Sequence, residues 1–153
     1  MSASFLSSGD KDMPIEIKHI PQAQIESILP LIQQLNPTLS EDLLLSRLDD
    51  MISQGYQCAG LYLNGQLIGI CGLWIMTKFY VGKHIEPDNV FILSEYRRQG
   101  YGKQLMRWVY EYGHSQGCIA SEVNCYIINE SGNTFWEQEG FVKIGYHYQR
   151  LLN

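Results

Sequence analysis

The stretch VFILSEYRRQGYGKQLMRWVYEYGHSQ, Val90 to Gln116, joins an apolar run, a loop rich in Arg and Gly, and a helical pattern. Phe91, Ile92 and Leu93 favour a strand, and their unbroken apolarity predicts burial on both faces. Ser94 ends the run, and Gly100 and Gly102 punctuate the turn that follows. Leu105, Met106, Trp108, Val109 and Tyr112 then recur at steps of one, three and four, as on one helix face. Strand, glycine turn and helix start together make an anion site. The first amides of a helix lack partners, and the macrodipole places about half a positive charge there. Glycines let a phosphate approach the backbone, and Arg97 and Arg98 add fixed positive charge just upstream.

Two common phosphate motifs fail on these residues. A mononucleotide loop, G-x-x-x-x-G-K-S/T, would need a Gly well before Lys103 and a hydroxyl after it, where Gln104 stands. A dinucleotide fingerprint would need a third glycine at Leu105. What remains is Arg97-x-x-Gly100-x-Gly102 after a strand. It resembles the pyrophosphate-binding motif, R/Q-x-x-G-x-G/A, of the GNAT superfamily of N-acetyltransferases, which use acetyl-CoA. The plainer reading of the same residues is an exposed loop with two solvated arginines. Downstream, Asn129-x-x-Gly132-x-x-Phe135-Trp136-x-x-x-Gly140-Phe141 resembles the closing signature of that superfamily, N-x-x-A-x-x-F-Y-x-x-x-G-F. Gly132 stands for the small Ala and Trp136 for the Tyr. Two motifs in order and at the family spacing carry the resemblance over at least residues 86–148.

Composition agrees with one domain. The chain has 153 residues, of which 45% are hydrophobic, enough for a sizeable core. A formal net charge of −5 argues against a general nucleic-acid binder and favours a cationic or neutral acceptor. The four cysteines, Cys58, Cys71, Cys118 and Cys125, form no C-x-x-C pair and none adjoins a His, so no metal site is expected. No signal peptide and no apolar span of about 20 residues is visible, which predicts a protein of the reducing cytoplasm that does not enter the membrane.

Residues 1–13, rich in Ser, read as a flexible leader before a single domain over 14–153. Ile15, Ile17 and Ile20 predict a first strand. A helix over Gln22–Leu35 should be kinked or split by Pro30, and a second, capped by Ser40, should end near Gly55. Two strands, Tyr56–Leu63 and Gln66–Ile75, flank Asn64-Gly65, the signal for a two-residue hairpin. Gly69 and Gly72 within the second suggest a bulge or a close backbone approach. Residues 77–87 read equally as strand end or loop. A long strand over Ile119–Ile128, a short helix around Gly132–Glu139 and a last strand over Phe141–Leu151 complete the chain. The expected fold is α/β (α+β): a mixed, mostly antiparallel central sheet flanked by helices. The resemblance adds that the fourth and fifth strands splay and that CoA lies in the opening.

The resemblance also implies roles. The loop Arg97, Arg98, Gln99, Gly100, Tyr101, Gly102 and Lys103 would hold the pyrophosphate, with Arg97 serving either structure or phosphate. A backbone amide of Ile92 or Leu93 would polarise the thioester. Asn129 would contact the cofactor, and it suits a helix N-cap equally. Trp136 would pack against the pantetheine, because an indole N–H is no useful proton source. Asp88, Glu86 and Glu122 are candidate bases, with His84 a rival, although an ordinary solvated carboxylate is the plainer reading of each acid. Trp74, Tyr80 and Tyr126 could line an acceptor pocket or belong to the core. The implied activity is transfer of acetyl from acetyl-CoA to a primary amine by direct attack. A non-catalytic acyl-CoA-binding module, motivated by Trp136, and a domain for another phosphate ligand are the alternatives. Many members of the superfamily dimerise, so a homodimer is compatible, but no pattern marks an interface.

Overall fold

A computed structural model describes residues 14–153; the leader expected over 1–13 lies outside them. The order is β1 (Ile15–His19), a 3-10 segment (Gln22–Ile28) running into α1 (Leu29–Leu35), α2 (Glu41–Ser53), β2 (Gln57–Leu63), β3 (Gln66–Lys78) and β4 (Gly82–Ile92). A 3-10 turn (Ser94–Tyr96), α3 (Tyr101–Ser115), the two-residue β5 (Ala120–Ser121) and α4 (Glu130–Gln138) follow. Pro30 does split the first helix. It occupies the first turn of α1, where its missing N–H has no helical partner to lose. The Ser40 hydroxyl caps α2 by accepting from the Leu43 amide at 3.2 Å.

The sheet runs β1-β2-β3-β4-β5, antiparallel except for the parallel β4–β5 pair. Asn64 and Gly65 take φ of 50° and 77°, so both central residues of the β2–β3 turn are left-handed, as a tight hairpin requires. The region 77–87 is hairpin throughout: Lys78 pairs with Gly82 around an exposed tip at Phe79 and Tyr80. Its register slips once, from Ile70–Phe91 to Gly72–Asp88, so β4 carries one residue more than β3. That bulge contains Asn89 at φ 50°. Gly69 and Gly72 bracket it because neither has room for a side chain. A Cβ on Gly72 would come within 2.7 Å of the Asp88 carbonyl oxygen and of the Tyr56 ring.

Each sheet face buries its own core. The 3-10 segment, α1 and α2 cover Cys58, Ile70 and Phe91 with Ile25, Ile28, Leu44 and Leu48. On the opposite face α3 packs Leu105, Met106 and Val109 against Leu61, Ile68, Cys71, Leu73 and Ile85. Helix α3 approaches closely at Gly113, where a Cβ would lie 2.9 Å from Ile85 Cγ2.

The fourth and fifth strands splay. They pair only at His84–Ala120 and Ile85–Ser121, and the last bond runs from the Glu122 amide to the Ile85 carbonyl at 3.1 Å. The strand expected over Ile119–Ile128 is thereby cut to two residues. The last strand expected over Phe141–Leu151 forms no ladder at all among the described residues. A strand exists only where a neighbour exchanges backbone hydrogen bonds with it, and among the described residues none lies beside 123–128 or 142–151.

These packings predict an order of glycine substitutions. Gly72→Ala forces a methyl against a backbone oxygen and should cost about 1–3 kcal/mol, several degrees of Tm. Gly113→Ala presses a methyl onto Cγ2 of the buried, β-branched Ile85, a crowding that about 1 kcal/mol of gained helix propensity offsets in part, so it should cost less than Gly72→Ala. Thermal denaturation of the two variants checks the order.

Candidate active site

The segment between β4 and α3 is arranged by backbone hydrogen bonds and by the Arg97 side chain. The Leu93 amide donates to the Ile68 carbonyl at 2.8 Å, continuing the ladder with β3 one residue past β4. Alternation then turns the amide and carbonyl of Ile92 to the opposite, open edge. Of the two donors the resemblance offered, Leu93 is therefore occupied within the sheet, and Ile92 faces the opening. The Ile92 carbonyl on that edge accepts from Arg97 Nε at 2.8 Å, and the Arg97 guanidinium lies 5.0 Å over the Phe91 ring. Arg97 thus fastens the loop to the end of β4.

The loop then reverses through two left-handed residues, Arg98 at φ 59° and Gly100 at φ 84°. Gly100 is the N-cap of α3 and gives no side-chain cap. The first helical bond runs from Gln104 to the Gly100 carbonyl at 3.1 Å, so the amides of Tyr101, Gly102 and Lys103 have no partner within the helix. Arg98, Gln99, Gly100 and Lys103 are exposed around them. A Cβ on Gly100 would meet open space, so φ and not crowding is what demands glycine there in the free protein. Gly102 faces α4, where its Cβ would touch the Phe135 ring at 3.5 Å.

The far wall of the opening is the extended run 122–128 leading into α4. Asn129 caps α4: its Oδ1 accepts from the Gly132 amide at 3.0 Å and from the Ser131 hydroxyl at 3.3 Å. Gly132 suits this cap, because a Cβ would fall 2.4 Å from Asn129 Nδ2. Trp136 is half-buried and meets Phe135 and Phe141 edge-on, with ring centroids 4.9 and 5.1 Å away.

His84, Glu86 and Asp88 alternate along β4 and so share one sheet face. Ile85 between them points to α3, which puts the row on the side of α1 and α2. His84 is completely buried, with Nδ1 3.0 Å from the Gly82 carbonyl oxygen and Nε2 3.0 Å from Glu86 Oε1. A carbonyl only accepts, so Nδ1 is the donor to Gly82 and Nε2 is the nitrogen that faces Glu86. Glu86 also lies 3.4 Å from Lys78 Nζ. Glu122 joins from the start of the far wall: ligand atoms of His84, Glu86 and Glu122 lie within 4.8 Å of one another, close enough to hold a cation. The Tyr80 hydroxyl donates to Glu122, and this bond raises its pKa above the ordinary value. Asp88 stands apart at the bulge, accepting from Trp74 Nε1 at 3.0 Å and from Asn89 Nδ2 at 3.1 Å.

Beside the bulge a cleft of about 160 Å3 opens between α1, α2 and β4, lined by Tyr56, Asn89, Arg47, Met51 and Asn36 among others. Burial pushes the Tyr56 phenol well above its usual range, so it is a neutral wall. A larger, shallow depression of about 620 Å3 lies over the β2–β3 hairpin, away from the open edge. Lys78, Asn89, Arg47 and Tyr56 were not singled out from sequence. Only the strand register brings the first two to the acid row, and only helix packing brings the others to the cleft.

Solved structures share this architecture. An aminoglycoside N-acetyltransferase, AAC(6')-Iy, in complex with a bisubstrate analogue of CoA and acetylneamine, superposes with a TM-score of 0.75 at 19% identity, covering 90% of this chain and 99% of that one. The aminoglycoside 6'-N-acetyltransferase AAC(6')-Ih of Acinetobacter baumannii gives 0.75 at 20% identity, covering 92% and 100%. Glucosamine-6-phosphate N-acetyltransferase of Arabidopsis thaliana gives 0.68 at 17% identity, covering 92% and 99%. At such identities the likeness is one of fold. Among curated proteins no sequence matches. Matched over residues 25–141 by the model for acetyltransferases of the GNAT family, the chain belongs to that family.

Proposed function

We propose that residues 14–153 form one N-acetyltransferase domain that moves an acetyl group from acetyl-CoA to a primary amine of a small molecule or peptide. The observation that carries this reading is the open edge of β4. It sets the Ile92 amide between the uncapped start of α3 and the row of acids on the α1–α2 side. The amides of Tyr101, Gly102 and Lys103 would bind the pyrophosphate, with Arg98, Gln99 and Gly100 shaping the loop and Arg97 holding it to β4. The pantetheine would enter between β4 and 122–128, flanked by Asn129 and Trp136.

The amine nitrogen would attack the thioester carbon. The carbonyl oxygen would take up negative charge facing the Ile92 amide, and collapse of the intermediate would expel CoA thiolate. Glu86, linked to His84 and Glu122, is the proposed acceptor of the ammonium proton, since that cluster lies where the strands part. Asp88, with each carboxylate oxygen already accepting a hydrogen bond, is assigned to holding the bulge and Trp74. The thiolate needs no dedicated acid, which is compatible with Trp136 where relatives carry Tyr. An acidic row in a chain of net charge −5 favours a cationic acceptor. The buried free thiols Cys58, Cys71 and Cys118 suit a reducing compartment, and among the described residues no helix is long and apolar enough to cross a membrane.

Trp136, packed between Phe135 and Phe141 and without a hydroxyl, favours a second reading, an acyl-CoA-binding module without turnover. Release of free CoA thiol across a panel of amines separates the two. Tight acetyl-CoA binding with no thiol release on any amine would exclude the enzyme.

Glu86→Gln and Glu122→Gln should each lower kcat about 100-fold or more while leaving the Kd for acetyl-CoA unchanged. Ile92→Pro removes a donor that serves no ladder bond, so the sheet should survive while turnover falls about 100- to 1000-fold; Ile92→Val is the control that keeps activity. Gly100→Val cannot hold φ 84° and should weaken CoA binding at least about tenfold by titration calorimetry.

A further inference from the structure

Among the described residues His84 is the one polar side chain that is completely buried. Its Nδ1 donates to the carbonyl of Gly82 at 3.0 Å, and Gly82 is itself held in the hairpin by its pairing with Lys78. That bond settles the tautomer. The lone pair of the neutral ring then sits on Nε2, which points at Glu86 Oε1 3.0 Å away. A carboxylate presents lone pairs as well, and two acceptors at this distance repel unless a positive charge stands between them.

Glu122 enters the same space from another strand. Ala120 pairs with His84, and the Glu122 amide bonds the Ile85 carbonyl at 3.1 Å, so the Glu122 side chain falls on the face of His84 and Glu86. His84 Nε2 and one oxygen from each carboxylate lie within 4.8 Å of one another. A proton shared by His84 and Glu86 would answer for that pair alone and gives no reason for a second carboxylate to converge on it. The other polar contacts come from the exposed hairpin tip: Lys78 Nζ lies 3.4 Å from Glu86, and the Tyr80 hydroxyl donates to Glu122. Both side chains are largely in water and free to swing away.

One divalent cation meets these demands, since its charge balances two carboxylates and a neutral ring. Two ligand atoms bonded to the same zinc ion are at most about 4.2 Å apart, so a span of 4.8 Å closes with about half an ångström of movement in a flexible Glu side chain. A ring whose second nitrogen donates to a carbonyl is the usual state of a metal-bound histidine, because that bond orients the ring and makes the free nitrogen a better ligand. One imidazole with two carboxylates suits zinc and its transition-series neighbours, whereas magnesium and calcium prefer oxygen alone. The cysteine pattern that argued against a metal has no bearing on a set without a thiol.

We infer that His84 Nε2, Glu86 and Glu122 bind one zinc-class divalent ion per chain, which enters past Lys78 and Tyr80. The site rests on the geometry alone. Its consequence rests on the acetyltransferase reading: a metal-bound Glu86 has no lone pair left for the acceptor ammonium, so the ion switches acetyl transfer off reversibly.

Calorimetric titration of the chelator-treated full chain with ZnCl2 should show one site. Glu86→Gln and Glu122→Gln should each weaken it at least about tenfold, the smallest loss expected when even an outer partner of a ligand is removed. Lys78→Met removes the competing ammonium and should tighten binding up to about fivefold. A buried His is hard to replace without unfolding, so Co2+ reads His84 in the unaltered chain. The cobalt-loaded protein should give one paramagnetically shifted ring N–H proton in slow exchange, from Nδ1, and no thiolate-to-cobalt band. No saturable binding, binding indifferent to both Gln variants, a thiolate band, or no shifted ring N–H would each overturn the site. Initial formation of acetylated amine should fall as zinc fills the site and return on adding chelator; unchanged turnover with zinc bound would overturn the switch. If zinc binds as described but the metal-free protein acetylates no amine, the acetyltransferase reading fails and the metal site stands.

Discussion

Strand β4 is bonded along its whole length to β3 on one edge and almost nowhere on the other, and the rest of the molecule is arranged around that imbalance. An unpaired backbone edge in the middle of a fold must meet water or a ligand. The β3 hairpin keeps β4 straight enough to present that edge. The bulge at Asn89 shifts its phase, so that Asp88 and Phe91 fall on the same face although three residues apart. Gly69 and Gly72 allow this by letting the strands and the Tyr56 ring come closer than any side chain would permit.

The two cores explain why the opening keeps its shape. Helix α3 lies on one face through Leu105, Met106 and Val109, and its N-terminus comes to rest just past the end of β4. The helices on the other face leave the acid row uncovered in part, with His84 sealed beneath it. An anion-attracting helix start and a cluster of carboxylates thus sit at opposite ends of one strand edge. Their charges have opposite preferences, and the separation lets an anionic cofactor and a cationic acceptor be held at once under the proposed function.

At the far wall the Trp136 indole packs between Phe135 and Phe141, so α4 is held by aromatic contacts and by the Asn129 cap. Among the described residues the wall has no ladder bond beyond the Glu122 amide.

Local chemistry was legible in the chain before any coordinates. The Asn64-Gly65 turn, the Ser40 cap, the break at Pro30 and the loop ending at Gly100 each depend on φ preferences or hydrogen bonds within a few residues, and such preferences are written in residue type. The two family motifs extended that reading to the splayed sheet. Other features answer to partners distant in sequence. Residues 77–87 became strand because β3 lies alongside. Ile92 and not Leu93 faces the opening because Ile68 takes the Leu93 amide. His84 and Glu86 meet Glu122 through the β4–β5 register, and residues 122–128 and 142–151 stay out of the sheet although their composition favours strand. A residue's type states what it can bond to; whether a neighbour arrives is settled by the fold of the whole chain.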